Sequence, residues 1–298
     1  MDRVSRNSSG KEATGGPTGA PAAAGTLFVV GTPIGNLQDF SPRAREVLGR
    51  VAAIAAEDTR RTRGLLSSIG LNKPLIAYHE HNEERRSAAI LERLAGGDSV
   101  ALVSDAGMPL ISDPGWGLVE RALDAGLPVQ VIPGPSAVTA ALAVSGLPTD
   151  RFAYEGFLPR RAGPRAARLK ALRLEPRTMV FLESVHRVPE TLRALIEAFG
   201  PSRRASLSRE LTKLHEQVVA GPLEALAEDL GERIPLLGEF VLVVAGADAE
   251  ASADEAEVVR VFEVLRCELP PGKAAAVTAE LTGVARNLVY RVTQVDRG

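Results

Sequence analysis

The chain has 298 residues and a nearly balanced charge, with 35 Lys and Arg against 37 Asp and Glu. That balance argues against a surface that is basic throughout, as in proteins that coat nucleic acid. A single cysteine, Cys267, excludes a disulfide framework, and with only four histidines we predict no metal site. No apolar run reaches the roughly 20 residues of a membrane-spanning helix, so no membrane association is expected.

Residues 1–25 consist mostly of Gly, Ala, Ser, Thr and Pro, and Val4 is their only large apolar residue apart from Met1. Such a segment cannot offset the entropy of ordering, so we predict a disordered extension. It lacks the apolar core of a secretory signal, which predicts a cytoplasmic location.

Strands and helices alternate through residues 26–147. The apolar runs at 26–30, 51–56, 74–78, 99–104 and 129–132 predict buried strands. Ser41 and Pro42 resemble an N-cap and first helical residue for a helix through Leu48. Apolar spacing predicts further helices at 83–95 and 115–125 and an alanine-rich helix ending at Gly146. This alternation predicts an α/β domain with a largely parallel sheet.

A second α/β domain is predicted over 148–246, after a hinge at 147–150. Its predicted helices lie near 163–174, 187–198 and 222–231, and its predicted strands near 152–157, 178–182, 204–209, 215–220 and 239–245. The strand-rich ending favours a mixed sheet. Residues 247–298 are predicted to form an acidic, alanine-rich linker followed, from about 256, by three short helices. These helices are separated at 270–272 and near Gly283.

Loops that follow strands are the usual ligand sites of open α/β sheets. The loop 31–37 has two glycines, but it matches neither the dinucleotide fingerprint nor a P-loop, and its apolar residues suit a nucleoside better than a pyrophosphate. The loop 104–115 holds two aspartates, two glycines and two prolines. Asp105 and Asp113 can accept hydrogen bonds from a ribose or an amine. An ordinary strand-to-helix turn would account for the loop 31–37 equally well, and Asp105 and Asp113 are also common turn residues. The length and position of the loop 104–115 favour a binding site.

Three other segments carry polar side chains next to predicted strand ends. Ser136 in the loop 133–136 is placed to cap a helix, whose first N–H groups can bind a carboxylate or hydroxyl. The segments 183–187 and 209–213 follow two strands of the second domain. The latter holds Lys213, one of only five lysines, beside Arg209 and Glu210. A structural ion pair is the alternative interpretation there.

The segment 56–63 combines Glu57 and Asp58 with three arginines, including Arg60. It is either a solvated helix start or a polar floor whose arginines meet phosphates. His79 and His81 have the spacing of a strand-borne metal pair, but no third ligand follows, so we interpret them as surface residues.

Together these motifs resemble the tetrapyrrole methylase superfamily. In particular they resemble its branch that methylates the ribose 2′-hydroxyl of a cytidine in small-subunit (16S) ribosomal RNA. The blocks that carry the resemblance run in order from about residue 26 to 245: 30–37, 56–60, 81–83, 104–115, 134–135, 150–152, 155–159, 186–187 and 209–213. Lys273–Ala276 and Asn287–Tyr290 resemble the short C-terminal helical domain of that branch.

The resemblance implies a two-domain tetrapyrrole-methylase-like fold with a small C-terminal helical domain, a homodimer, and S-adenosylmethionine held in the cleft between the two α/β domains. It implies as partner the small ribosomal subunit. The cofactor-binding residues that it implies act largely through their main chain. They are Pro33, Ile34, Asp105, Ala106, Gly107, Met108, Ile111, Pro133, Gly134, Ser136, Ala137, Glu183 and Leu211.

Methylation of a ribose hydroxyl requires positioning of the acceptor and a base, because the hydroxyl is a poor nucleophile. The candidate catalytic residues are Glu57, Asp58, Glu210 and Lys213. An unprotonated Lys213 would need a pKa lowered by burial or by a cationic neighbour such as Arg209.

RNA binding requires positive charge, and residues 151–178 supply a net charge of +6 from eight basic and two acidic residues. Within this segment Arg160, Arg161 and Arg165 are the predicted RNA contacts, together with Arg60 from the first domain. Two other functions fit the same sequence: methyl transfer to a tetrapyrrole or other small molecule, and a non-catalytic ribosome-binding factor that uses the fold alone.

Overall fold

A computed structural model describes residues 24–247 and 249–293. Most of the predicted disordered extension, residues 1–23, lies outside the described residues. The described chain forms two compact units. The first takes in residues 24–30, 42–105 and 113–132, and the second takes in 31–41, 106–112 and the residues from 133 onward.

The first unit is built on a five-stranded parallel sheet with the strand order β3-β2-β4-β1-β5. Its elements are β1 (Leu27–Val30), α1 (Pro42–Arg50), β2 (Ala53–Ala56), α2 (Thr59–Ser68), β3 (Leu75–Ala77), α3 (Glu83–Ala95), β4 (Val100–Val103), α4 (Trp116–Asp124) and β5 (Val129–Ile132). Every residue of β1, β2 and β4 is buried, which explains their continuous apolar runs. The predicted parallel α/β sheet is confirmed.

Local capping explains where two of these helices begin. Helix α1 begins at Pro42, directly after Ser41, as the sequence predicted. Helix α2 begins at Thr59 because the Asp58 carboxylate accepts a hydrogen bond from the backbone N–H of Arg60 at 2.8 Å. The segment 56–63 therefore contains a helix start, which is one of its two predicted interpretations.

The second unit contains a five-stranded mixed sheet with the order β6-β7-β10-β8-β9. Its elements are a 3₁₀ turn (Leu37–Asp39), α5 (Ala137–Val144), β6 (Phe152–Phe157), α6 (Ala162–Leu172), β7 (Thr178–Ser184), α7 (Val188–Phe199), β8 (Arg204–Arg209), β9 (Gln217–Pro222), α8 (Leu223–Asp229) and β10 (Glu239–Val244). Strands β6 and β7 are parallel and the other pairs are antiparallel, which confirms the predicted mixed sheet.

Both faces of this mixed sheet are covered, and alternate strand residues belong to two cores. Phe181 and Leu242 belong to one core, which includes apolar residues of α6, α7 and α8. Val180 and Val241 belong to the other, which includes residues of α5. Leu182 of β7 pairs with Val241 of β10 and packs against this second core.

Three helices close the described chain: α9 (Ala249–Arg266), α10 (Pro271–Thr282) and α11 (Arg286–Thr293). The break near Gly283 falls where the sequence placed it, whereas the break predicted at 270–272 lies at 267–270, because α10 already begins at Pro271. The three helices pack around their own core, which includes Phe262 and Val289. The predicted acidic linker is wrong in part, because α9 already begins at Ala249. None of the described helices has the length and apolar character needed to cross a membrane.

The two compact units interleave along the chain, whereas the sequence predicted one division at 147/148. Helix α5 and the loop segments 31–41 and 106–112 belong to the second unit, although they lie in the predicted first domain. The predicted boundaries at 25/26, 147/148 and 246/247 follow chain order, and chain order does not show which loops pack together.

Candidate functional site

A cavity of about 110 Å³ lies in the second unit and is lined mainly by apolar side chains. Eight of the predicted cofactor-binding residues line it, and they come from separate loops and from the start of α5. They are Ile34, Ala106, Gly107, Met108, Ile111, Ser136, Ala137 and Leu211. The structure therefore brings together most of a set that spans nearly 180 residues of sequence.

Four further residues line the cavity and were missed from the sequence: Val138, Leu182, Glu239 and Val241. Strand alternation in the predicted strands 178–182 and 239–245 was a signal for Leu182 and Val241, because alternate residues share a face. Glu239 carries the only formal charge among the described lining residues. No local pattern marks it, since it is simply the first residue of β10.

The other predicted cofactor-binding residues are not on the wall of this cavity. Gly134 lines an adjoining, more open recess that shares Ile34 and Ser136 with the cavity, whereas Pro33 and Pro133 line neither. The Glu183 carboxylate is buried and accepts hydrogen bonds from Thr191 Oγ1 at 2.6 Å and from Ser184 N at 2.8 Å. This bonding gives Glu183 a structural role in β7.

Two glycines allow the loops beside the cavity to touch through their backbones. A Cβ atom on Gly31 would lie 2.7 Å from Gly134 Cα and 2.7 Å from Met108 Sδ. A Cβ on Gly134 would lie 2.9 Å from Gly31 Cα. Thr32 and Gly107 also form an isolated antiparallel bridge. Because main chain meets main chain here, no side chain fits at either glycine.

Lys213 is held by two carboxylates. Its Nζ donates to Glu210 Oε1 at 2.8 Å and to Glu239 Oε2 at 3.1 Å. Partial burial alone would lower the pKa of Lys213, but the bonds to Glu210 and Glu239 outweigh it and raise the pKa above its ordinary value. The lowered pKa that an unprotonated Lys213 would need is therefore not found. Arg209, the cationic neighbour considered for this effect, instead donates hydrogen bonds to the carbonyls of Leu237 and His215, both at 3.1 Å.

Glu210 is engaged in the same network. Its Oε1 accepts from Lys213 and from the backbone N–H of Glu239 at 3.0 Å. The bond from Lys213 lowers the pKa of Glu210. A carboxylate with a lowered pKa is a weak base, so this geometry does not favour Glu210 as the proton acceptor.

A group of carboxyls lies in the first unit around Glu57. Partial burial, followed by the charges of Asp113 and Asp105, raises the pKa of Glu57. Burial also raises the pKa of Asp113. Asp105, predicted to bind the cofactor, accepts from Asp58 N at 3.0 Å and lies 3.2 Å from Arg61. Glu57 is thus the one predicted catalytic carboxyl whose pKa is displaced toward neutrality.

Asp58 has a different environment from its neighbour Glu57. Its side chain caps α2 and also accepts hydrogen bonds from the Arg60 guanidinium, which lowers the pKa of Asp58. The structure therefore assigns Asp58 to helix capping, and Arg60 is an exposed residue paired with it.

Fewer arginines of the basic segment 151–178 are available to RNA than its composition suggests, because several of them are paired with carboxylates. Arg165 is the clearest correction. Its side chain is only 6% exposed and bonds to Glu190 at 2.6 Å, so it cannot serve as an RNA contact. Three others pair with carboxylates: Arg168 with Glu155, Arg173 with Glu255, and Arg177 with Glu175. Arg160 and Arg161 are exposed, with no carboxylate partner among the described residues.

The histidine pair has no metal-site geometry. The His79 and His81 rings lie edge to face with centroids 5.9 Å apart. His79 Nε2 lies 2.9 Å from Asn82 Nδ2. Within residues 24–247 and 249–293, no group of three or more His, Cys, Asp and Glu side chains is arranged to hold a metal ion.

Comparison with known proteins gives two family matches. Residues 26–227 match the sequence model of the tetrapyrrole (corrin/porphyrin) methylases. Residues 252–293 match that of the RsmI C-terminal HTH domain.

Relatives that match over most of the chain are also found. "Ribosomal RNA small subunit methyltransferase I" of Pseudomonas aeruginosa is 50% identical over 275 residues, which is 90% of this chain and 96% of the relative. The protein of the same name from Escherichia coli O157:H7 is 46% identical over 92% of this chain and 96% of the relative.

Solved structures share the fold over most of the chain. Uroporphyrin-III-C-methyltransferase of Thermus thermophilus has a TM-score of 0.53 and 25% identity, over 74% of this chain and 94% of its own. A structure of uroporphyrin-III C-methyl transferase from the same organism, in complex with S-adenosyl homocysteine, has a TM-score of 0.52 and 21% identity, over 74% of this chain and 97% of its own. Diphthine synthase has a TM-score of 0.58 and 18% identity, over 77% of this chain and 93% of its own.

Proposed function

Because the chain belongs to the tetrapyrrole (corrin/porphyrin) methylase family, we propose that it methylates RNA of the small ribosomal subunit, with S-adenosylmethionine as the methyl donor. The finer proposal is that the acceptor is the ribose 2′-hydroxyl of a cytidine in 16S ribosomal RNA. The observation that carries the proposal is the 50% identity, over 90% of the chain, to a relative named as an rRNA small subunit methyltransferase.

The cavity in the second unit fits the proposed cofactor chemically. Its apolar residues, among them Ile34 and Leu211, suit the adenosyl group and the methionine carbons. The Glu239 carboxylate on the cavity wall suits a ligand with positive charge. When bound, the cofactor supplies an electrophilic methyl group on a sulfonium.

Among the four predicted catalytic residues, Glu57 is the best supported proton acceptor for the ribose hydroxyl. A general base works best with a pKa near the operating pH, and burial with Asp113 and Asp105 moves the pKa of Glu57 in that direction. Lys213 stays protonated between Glu210 and Glu239, and as an ammonium it can hold those two carboxylates in place.

The C-terminal helices support an RNA rather than a tetrapyrrole substrate, since residues 252–293 match a helix-turn-helix domain. The proposed partner is therefore the small ribosomal subunit, and the proposed location is the cytoplasm. We also propose a homodimer. Large apolar side chains of the first unit, such as Trp116 and Leu123, are exposed and available for burial by a second copy. Light scattering on the purified chain tests this.

The function is tested by incubating the protein with radiolabelled S-adenosylmethionine and one of three acceptors: small ribosomal subunits, bare 16S ribosomal RNA, or a tetrapyrrole. We expect label in RNA, recovered after digestion as 2′-O-methylcytidine by mass spectrometry. Label confined to the tetrapyrrole would contradict the RNA assignment. Calorimetry with S-adenosylmethionine provides the second test, because a non-catalytic ribosome-binding factor gives no heat of cofactor binding.

Replacing both Arg160 and Arg161 by glutamine is expected to weaken RNA binding and to flatten its salt dependence. Each lost phosphate contact reduces the slope of log K against log[salt] by about 0.7–0.9, so the double variant should lose about 1.5. Arg165→Gln in the same segment is the matched comparison. It should leave the slope unchanged and lower the melting temperature, because it breaks the pair with Glu190. Filter binding over a salt series measures the slope, and an unchanged slope in the double variant would contradict the assignment.

A further inference from the structure

Strained backbone is concentrated at two points of the cavity wall. Among the described residues, only four other than glycine have a positive φ: Leu110 (72°), Ser112 (65°), Glu210 (52°) and Thr212 (66°). Such conformations are costly for residues with a Cβ, and they persist only where the surrounding structure enforces them. Thr212 is β-branched, which makes its positive φ a still rarer case.

These four residues flank two cavity-lining side chains. Ile111 lies between Leu110 and Ser112, and Leu211 lies between Glu210 and Thr212. In each loop the chain therefore adopts the left-handed conformation immediately before and after one apolar residue of the wall. The same local arrangement occurs twice, in loops about 100 residues apart in sequence.

The first loop, which carries Ile111, is anchored by a hydrogen bond to Tyr154. Tyr154 OH and Ser112 Oγ are 2.6 Å apart. Strand β6 carries a bulge between Tyr154 and Gly156, and Gly156 has a φ of 63°. A Cβ on Gly156 would lie 3.3 Å from Ser112 Oγ, so the bulge and the missing side chain make room for this hydroxyl pair.

The second loop, which carries Leu211, is anchored by hydrogen bonds to the Glu210 carboxylate. Its Oε1 accepts from Lys213 Nζ at 2.8 Å and from Glu239 N at 3.0 Å. On the other side of Leu211, the backbone N–H of Thr212 donates to Glu216 Oε2 at 2.5 Å. Gly238 leaves the space that the carboxylate fills, since a Cβ there would overlap Glu210.

We propose that Tyr154 and Glu210 are positioning residues that lock two strained loops and so hold Ile111 and Leu211 against the bound cofactor. The inference rests on the proposed function in one respect, namely that the cavity binds S-adenosylmethionine. It gives Glu210 a role different from the proton acceptor predicted from the sequence, and it gives a role to Tyr154, which the sequence did not single out.

Tyr154→Phe tests the first loop. Loss of one hydrogen bond is expected to raise the dissociation constant of S-adenosylmethionine and its KM about fivefold, while kcat at saturating cofactor is retained. Ser112→Ala should have the same effect, and the double variant should bind no more weakly than either single variant. Additive losses in the double variant, or an unchanged dissociation constant in Tyr154→Phe, would overturn the proposal for this loop.

Strain itself is tested by changing residue 112 in the Tyr154→Phe background. Glycine adopts a positive φ without the steric cost that alanine has. The Ser112→Gly variant is therefore expected to bind the cofactor several-fold more tightly than the Ser112→Ala variant. Equal affinities would show that the hydrogen bond between Tyr154 and Ser112 does not serve to hold a strained backbone.

Glu210→Gln and Glu210→Ala test the second loop. The glutamine keeps an amide oxygen that can accept from Lys213 and from Glu239 N, so it should retain most of the cofactor affinity, whereas alanine should lose about tenfold. Equal loss in both variants would overturn the positioning role of Glu210. If the unmodified protein itself binds no S-adenosylmethionine in the same calorimetric experiment, the proposed function fails instead.

Discussion

Replacing Gly31 by alanine is expected to abolish binding of S-adenosylmethionine and to lower the melting temperature by about 5 °C. The added Cβ would stand 2.7 Å from the Cα and N atoms of Gly134 and 2.7 Å from Met108 Sδ. Real Cβ contacts do not come so close, and the opposing atoms are mostly backbone, so the loop 133–136 must move. That loop carries Ser136, which lines the cavity.

The destabilisation by Gly31→Ala arises from a steric clash and not from backbone conformation, since the φ of Gly31 lies outside the positive range. Overpacking of this kind costs about 1–3 kcal/mol in a well-packed region. Cofactor binding should suffer more than folding stability, because a shift of even 1 Å at a binding wall disrupts contacts with the ligand.

Gly64→Ala is the matched control for this substitution. Gly64 lies within α2, and an added Cβ there has no atom within 4 Å. Alanine is the better helix former, so this variant should be more stable by about 0.5–1 kcal/mol and should bind the cofactor normally. Thermal unfolding and calorimetry on both variants measure the two effects. Normal cofactor affinity in Gly31→Ala would show that cofactor binding does not depend on the close contact between the backbones of Gly31 and Gly134.

Sequence patterns alone were sufficient to locate nearly every strand and helix within residues 24–247 and 249–293. Continuous apolar runs marked the strands that are buried on both faces, and β5, β6 and β8 have the predicted bounds. The proline at the start of α1 and the apolar spacing of α3 were equally direct signals. These features depend on neighbours in sequence, so they can be predicted without knowledge of the packing.

The environments of individual charged groups could not be predicted in this way. Lys213 acquires Glu239 as a partner from 26 residues away, and Arg165 acquires Glu190 from 25 residues away. The first pairing raises the pKa of Lys213, whereas a role as base would need a lowered one, and the second removes Arg165 from the RNA-binding set. Glu239 had no signal of its own, because only the packing of β10 brings it to the cavity.

Replacing Glu57 by glutamine is expected to reduce kcat about 100-fold, with little change in the affinity for S-adenosylmethionine. The amide cannot accept the proton of the ribose hydroxyl, yet it keeps the size and polarity of the carboxyl. Asp58→Asn is the matched control, since asparagine also caps helices and Asp58 has no catalytic role in this scheme. It should retain nearly full activity, and near-normal turnover in Glu57→Gln would exclude Glu57 as the base.

The pH dependence of methyl transfer gives an independent test of Glu57. A general base is inactive when protonated, so kcat/KM should fall as the pH drops through the pKa of Glu57. That pKa is raised by burial first and by the charge of Asp113 second. In Asp113→Asn the repulsion between the two carboxylates is absent, so the pKa of Glu57 falls and the acid limb of the profile moves to lower pH. An acid limb that stays in place in Asp113→Asn would mean that another group titrates, whereas a downward shift together with the loss of turnover in Glu57→Gln identifies Glu57 as that group.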